Sequence, residues 1–171
     1  NANFQLVDSY TGNSDWVHAV EAGNGGYVYS GGRGSEVHKI DKSDMSQVDI
    51  YSGHQYRVTD ILDGGDGHIY STSYDNELKK INKSNMSQVS VHTGVSGGNG
   101  LSEVAMGDGG YLYTADREGE VQKVNSSDMT ESTSFNAGAT TINSVIFYNG
   151  YVYSADTDGV VYKLNPSDMT Q

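Results

Sequence analysis

Bulky apolar side chains come in short runs set between clusters of Gly, Asn, Asp and Ser, and no segment sustains a helical period. The first full unit shows the pattern. Val17 to Val20 reads as a short strand A, and Gly23-Asn24-Gly25-Gly26 turns the chain into strand B, Tyr27 to Ser30. A Gly-rich hairpin, 31–35, leads to strand C, Glu36 to Ile40. The turn Asp41-Lys42-Ser43-Asp44-Met45 then leads to strand D, Val48 to Tyr51. Four short strands separated by turn-forming residues make one antiparallel sheet. Tyr27-Val28-Tyr29 and Val160-Val161-Tyr162 carry bulk on both faces. A sheet with one wet face has no use for that, whereas a sheet stacked between two neighbours does.

The unit recurs. Gly26-Tyr27-Val28-Tyr29-Ser30 is followed by Gly67-His68-Ile69-Tyr70-Ser71, Gly110-Tyr111-Leu112-Tyr113-Thr114 and Gly150-Tyr151-Val152-Tyr153-Ser154, at spacings of 41, 43 and 40 residues. Each copy places a methionine 18 residues after its first ring-bearing residue: Met45, Met86, Met129 and Met169. An all-strand repeat of roughly 40–45 residues predicts a β-propeller. The expected fold is thus all-β: one domain over 1–171, with four-stranded antiparallel blades at 13–53, 54–94, 95–138 and 139–171 plus 4–12. The last copy stops before a strand D, and Leu6 to Gly12 aligns with Gln47 to Gly53. This predicts that the segment Phe4 to Thr11 pairs beside strand C of the last copy, at Val160 to Leu164, and closes a four-bladed ring. The rival closure is a homodimer in which two chains form one eight-bladed ring.

Ten Lys and Arg against 22 Asp and Glu leave a net charge of −12. Such a surface repels phosphate backbones and anionic lipid, which argues against nucleic acid and membrane insertion. No apolar run approaches the roughly 18 residues of a membrane helix. The chain contains no cysteine, so disulfides and thiolate metal sites are excluded. Abundant Gly, Tyr, Ser, Thr, Asn and Asp suit an extracellular, virion-surface or cell-surface setting.

Trp16-Val17-His18-Ala19-Val20 followed by Gly-Gly-Tyr-Val-Tyr-Ser resembles the opening of a WD-repeat. Gly150 to Asp156, followed by Asp158 to Asn165, resembles the repeats of quinoprotein-like (PQQ-like) propellers. Both resemblances imply a propeller. Neither carries its family's functional marks: no Trp-Asp pair ends a strand C, and Trp16 is the sole tryptophan. No cofactor is expected.

The chemistry-bearing residues mostly follow the repeat. Asp44, Asn85, Asp128 and Asp168 precede each Met and read as turn caps. The acidic loops 63–67 and 156–159 lack a full calcium ligand series, and the five histidines show no metal or triad spacing, so no metal and no catalytic residue are expected. The C–D turns are almost uniform, whereas the D–A loops 12–15, 53–57, 94–100 and 138–141 differ in length and content. A scaffold uniform at one end and varied at the other points to recognition at the varied end. Trp16, Arg33, Tyr56, Arg57, Tyr74 and Arg117 are its expected anchors, since these side chain types dominate binding hot spots. The expected function is a non-enzymatic module recognising a protein or glycan, with a structural surface or decoration role as the alternative. A central-channel enzyme is the third reading, built on strand A polar positions His18, Asp60, Glu103 and Asn143.

Overall fold

The computed structural model describes residues 5–94, 98–138 and 140–171, so the D–A loops at 94–100 and 138–141 fall partly outside the described residues. Sheet 1 runs β1 (Val17–Ala22), β2 (Tyr27–Gly32), β3 (Val37–Asp41) and β4 (Gln47–Tyr51). Sheet 2 runs β5 (Val58–Asp63), β6 (His68–Ser73), β7 (Glu77–Asn82) and β8 (Gln88–Thr93). Sheet 3 runs β9 (Leu101–Met106), β10 (Tyr111–Asp116), β11 (Glu120–Asn125) and β12 (Glu131–Asn136), with one 3-10 turn at Asp108–Gly110. Sheet 4 holds three strands, β13 (Ile142–Tyr148), β14 (Tyr151–Asp156) and β15 (Val161–Leu164). Every pairing is antiparallel between neighbours in sequence.

The C–D turns explain the repeated Asp-Met pair. Asp44 Oδ1 accepts from Ser46 N at 2.9 Å, and Asp128 and Asp168 accept likewise from Thr130 N and Thr170 N at 3.1 Å. The methionine that follows takes a left-handed backbone, with φ of 52, 48, 60 and 56° in the four copies. This reverses the chain and tucks Met86, Met129 and Met169 into the layer between sheets, where they are buried.

Each sheet stacks on the next through one repeated junction. Tyr29, Tyr70 and Tyr113 fill the trailing face of sheets 1, 2 and 3. The leading face that receives them carries Ile69, Leu112 and Val152 in sheets 2, 3 and 4. A lysine pegs each junction. Lys39 Nζ donates to Lys83 O at 2.6 Å, Lys80 Nζ to Ser126 O at 2.7 Å, and Lys123 Nζ to Pro166 O at 2.7 Å. The ammonium groups of Lys39 and Lys123 lie over the rings of Tyr27 and Tyr111, 4.1 and 4.0 Å from their centroids, so the charge crosses the junction beside an aromatic wall.

The expected closure within the chain is corrected. Residues 5–12 form no strand, Leu6 and Val7 are 83% and 97% exposed, and among the described residues β15 pairs only with β14. Phe4 lies outside the described residues. Tyr10 instead docks on sheet 1: its hydroxyl donates to Gln47 Oε1 at 2.5 Å, as that of Tyr51 donates to Gln88 Oε1 at 2.7 Å. A Cβ at Gly12 or Gly53 would collide with the hydroxyl of Tyr10 or Tyr51, so both segments fold back alike. Residues 5–12 therefore sit where the outer strand of a preceding sheet would lie. The Tyr51–Gln88 bond and the Phe135–Tyr162 contact tie neighbouring sheets together at their outer strands. The inner strands pack β1 on β5, β5 on β9 and β9 on β13, with no comparable packing of β13 on β1 among the described residues, so the array stays open.

Candidate functional site

The inner strand of every sheet carries the same defect at its second residue. Pairing of β1 with β2 steps from Val17 to Ala19, and that of β5 with β6 from Val58 to Asp60. Pairing of β9 with β10 steps over Ser102, and that of β13 with β14 over Asn143. A β-bulge re-aims the side chain it leaves unpaired. Here the four bulged residues, His18, Thr59, Ser102 and Asn143, come together on the floor of one cavity of about 230 Å³. Its wall is Arg57, Tyr74 and Arg117. Thr59 is fixed from both sides, its hydroxyl 2.9 Å from Thr72 Oγ1 and donating to Leu101 O at 2.8 Å.

An adjoining depression of about 380 Å³ shares Arg57 and Tyr74 and adds Asp15, Arg33 and Tyr56. Arg33 lies over the Trp16 ring, 4.6 Å from its centroid. Tyr74 is flanked by two cations, with the guanidinium of Arg57 at 3.6 Å and that of Arg117 at 4.8 Å from its ring centroid. Arg117 also donates to the Tyr74 hydroxyl. The ring's negative face holds two like charges that repel each other. The chain has only these three arginines, and all three stand at this end. Trp16 and Tyr56 are 67% and 61% exposed. The six residues expected from sequence to anchor recognition thus form one continuous rim.

Of the four expected channel residues, His18 and Asn143 line the floor and Asp60 and Glu103 do not. Asp60 and Glu103 align with Ala19 and Ser144, one residue past the bulged positions, and successive side chains of a strand point to opposite faces, so Thr59 and Ser102 take the floor in their sheets. Asp60 and Glu103 instead staple junctions. Asp60 Oδ2 accepts from Val104 N at 3.0 Å, and Glu103 Oε2 accepts from Val145 N at 2.6 Å. Burial pushes the Asp60 carboxyl up to about 6, and neighbouring Glu103 and Glu21 add to the rise against the amides of Val104 and Ile61.

Sequence spacing also missed a Ser–His–Asp chain. His54 Nε2 lies 2.7 Å from Ser71 Oγ, and His54 Nδ1 lies 2.8 Å from Asp75 Oδ2. Burial alone would raise the Asp75 carboxyl. The His54 ring and the amides of Gln55 and Glu77 outweigh it and hold the group below its ordinary value. Ser71 is fully buried, so no substrate atom reaches its hydroxyl. The relay binds the D–A loop to β6 and the B–C turn. Sheet 1 carries a shorter version, in which the Asn13 amide pairs with Ser30 Oγ at 3.1 Å. The signal was available, since Gly12-Asn13 and Gly53-His54 align in register with Ser30 and Ser71.

His54, Asp75 and Glu77 are also close enough to hold a cation. Each already has a partner: His54 and Asp75 bond each other, and Glu77 pairs with Lys79 Nζ at 2.9 Å. In the acidic loops, Asp156 accepts from the amides of Asp158 and Val160 and from the Tyr162 hydroxyl. Asp63 is bound by Lys83 Nζ at 2.6 Å. A cavity of about 600 Å³ opens at the other end between sheets 1 and 2, around the Lys39 peg.

The chain thus has a repeated antiparallel β-sheet fold compatible with a β-propeller. It is similar to the computationally designed Ika4 protein, with a TM-score of 0.83 and 16% identity over 95% of this chain and 99% of that one. It is also similar to the computationally designed Ika8 protein, at a TM-score of 0.80 and 17% identity over 91% of this chain and 47% of that one. At these identities the likeness is one of fold. No family model matches the chain, and no curated protein is similar to it. Among the described residues no helix is long and apolar enough to cross a membrane.

Proposed function

We propose that this protein is a non-enzymatic binding module, a propeller of the WD-repeat and PQQ-like kind, that works at an extracellular, virion or cell surface. Its arginine-and-aromatic rim recognises a protein or glycan through anionic groups. One observation carries the reading: in a chain of net charge −12, all three arginines and the one tryptophan stand round a floor of four bulged polar residues. An anion set between Arg57 and Arg117 relieves their mutual repulsion, and guanidinium forks match carboxylate or sulfate in pairs. Trp16 and Tyr56 offer flat apolar area for a sugar face or a side chain.

The test is an array of acidic and neutral glycans and peptides, probed with the native chain and with Arg57→Ala/Tyr74→Ala. Binding to acidic members should fall by about thirtyfold in the double variant, the effect of ~2 kcal/mol at a hot spot. Lys42→Ala, at the uniform end, should leave binding unchanged. Equal binding by the double variant, or loss in Lys42→Ala, refutes this choice of face.

A further inference from the structure

We propose that two copies of this chain close into one ring, each supplying the strand that the other's last sheet lacks. The three internal junctions define what such a contact needs, and the two ends of the array each hold half of a fourth.

At the trailing end, Val161 takes the place that Val37, Leu78 and Val121 hold in the other sheets. Those three are 0% exposed, and Val161 is 72% exposed. Lys163 takes the place of the lysine pegs. It lies over the Tyr151 ring at 3.8 Å, as Lys39 does over Tyr27 and Lys123 over Tyr111, but is exposed and reaches no carbonyl.

At the leading end, Val20 stands where Ile61, Val104 and Val145 are buried, and it is 70% exposed. The carbonyl of Lys42 corresponds to those of Lys83, Ser126 and Pro166, which receive the pegs, and among the described residues no lysine reaches it. Across this end lie residues 5–12, seated by Tyr10 as an outer strand is seated, with their own pairing edge unused.

Setting the trailing end of one copy on the leading end of another reproduces the internal junction. The register follows from sheet 1, where Val37 faces Tyr51 and Lys39 faces Asp49. Shifted by the repeat, Val161 faces Tyr10 of the second copy and Lys163 faces its Asp8, so opposite charges meet. The contact is head-to-tail, and two of them close a two-fold ring. The occupant is a second copy because the two ends of one chain do not meet, and each end carries what the other lacks. The net charge of −12 per chain opposes the approach, so association strengthens as salt screens it.

Light scattering on the native chain in moderate salt should give twice 18.4 kDa, with dissociation on dilution at low salt. Val161→Asp and Val20→Asp should each weaken association by about tenfold or more. Both sites are exposed in the single chain, so circular dichroism should be unchanged. Loss in Val161→Asp alone would mean a face-to-face dimer and overturns the proposal, as does a monomer under all conditions. Because the chain has no cysteine, Asp8→Cys/Lys163→Cys gives a clean second readout. Oxidation should yield a covalent dimer. A disulfide within an 18.4 kDa monomer shows closure of the chain on itself, and no disulfide shows that the strands do not pair; either result overturns the ring.

Discussion

Replacing Asp60 by Asn should stabilise the protein at neutral pH and leave it unchanged in acid. Asp60 sits on β5 in the junction between sheets 2 and 3, where its carboxylate accepts from Val104 N. Burial raises its folded pKa from 3.8 to about 6. A raised pKa means that the folded state holds the proton more tightly than the unfolded chain does. Its contribution therefore runs opposite to that of an ion-paired acid: stability falls as pH rises between about 4 and about 6, and the penalty is complete above that window. The gap between the two values corresponds to ~3 kcal/mol. Asn keeps a carbonyl acceptor for the Val104 amide and carries no charge, so it removes the penalty. Urea unfolding of both proteins, followed by circular dichroism at intervals from pH 4 to pH 8, isolates the effect. The difference should be near zero at pH 4, should grow through pH 5 and 6, and should level off at ~1–3 kcal/mol in favour of Asn. A gain independent of pH, or a variant less stable at pH 8, would show that the carboxylate is well satisfied in its charged form.

Two further outcomes follow from the junctions and the buried relay. His54→Ala should cost ~2–3 kcal/mol in thermal or urea unfolding, since it strands Ser71 Oγ and the Asp75 carboxylate, and His54→Asn should recover part of that by copying the Asn13–Ser30 pair. A fluorophosphonate should leave Ser71 unlabelled by mass spectrometry, and a labelled Ser71 would return the relay to consideration as chemistry. Lys80→Ala should cost ~1–3 kcal/mol because the Ser126 carbonyl loses its charged donor, while Lys163→Ala should leave the single chain's stability unchanged. Equal losses in the two would mean that the pegs act through their stems and not through the bond.

The strands were legible because Gly, Asn and Asp mark every turn and the segments around Tyr27, His68, Tyr111 and Tyr151 repeat almost letter for letter. The rim was legible for a different reason: comparing copies shows which loops vary. The floor was harder to read. Asp60 and Glu103 look like its members by their charge, but alignment of the copies sets Thr59 and Ser102 beside His18 and Asn143, and no fixed letter marks the bulge at those positions. Closure failed on a related point. The alignment of Leu6 to Gly12 with Gln47 to Gly53 gives the segment an outer strand's place, and Tyr10 occupies that seat, but an alignment does not state which sheet's edge the segment meets. The Ser71–His54–Asp75 contact joins three elements whose separations vary with loop length, so it could be found by register between copies and not by spacing.

The bulges separate two kinds of inheritance. Each repeat presents one side chain at the floor, His, Thr, Ser and Asn in order, and that residue is skipped by the strand ladder. Substitution at His18 or Asn143, both exposed, alters the cavity without asking anything of the core, whereas Thr59 also bonds Thr72 and the Leu101 carbonyl. The four positions behave as an alphabet read in parallel, one letter per duplicated unit, so copying a unit and then changing one letter is enough to generate a new floor. Under the proposed binding function, the floor can therefore change faster than the architecture, and two chains with interchangeable sheets need share no ligand.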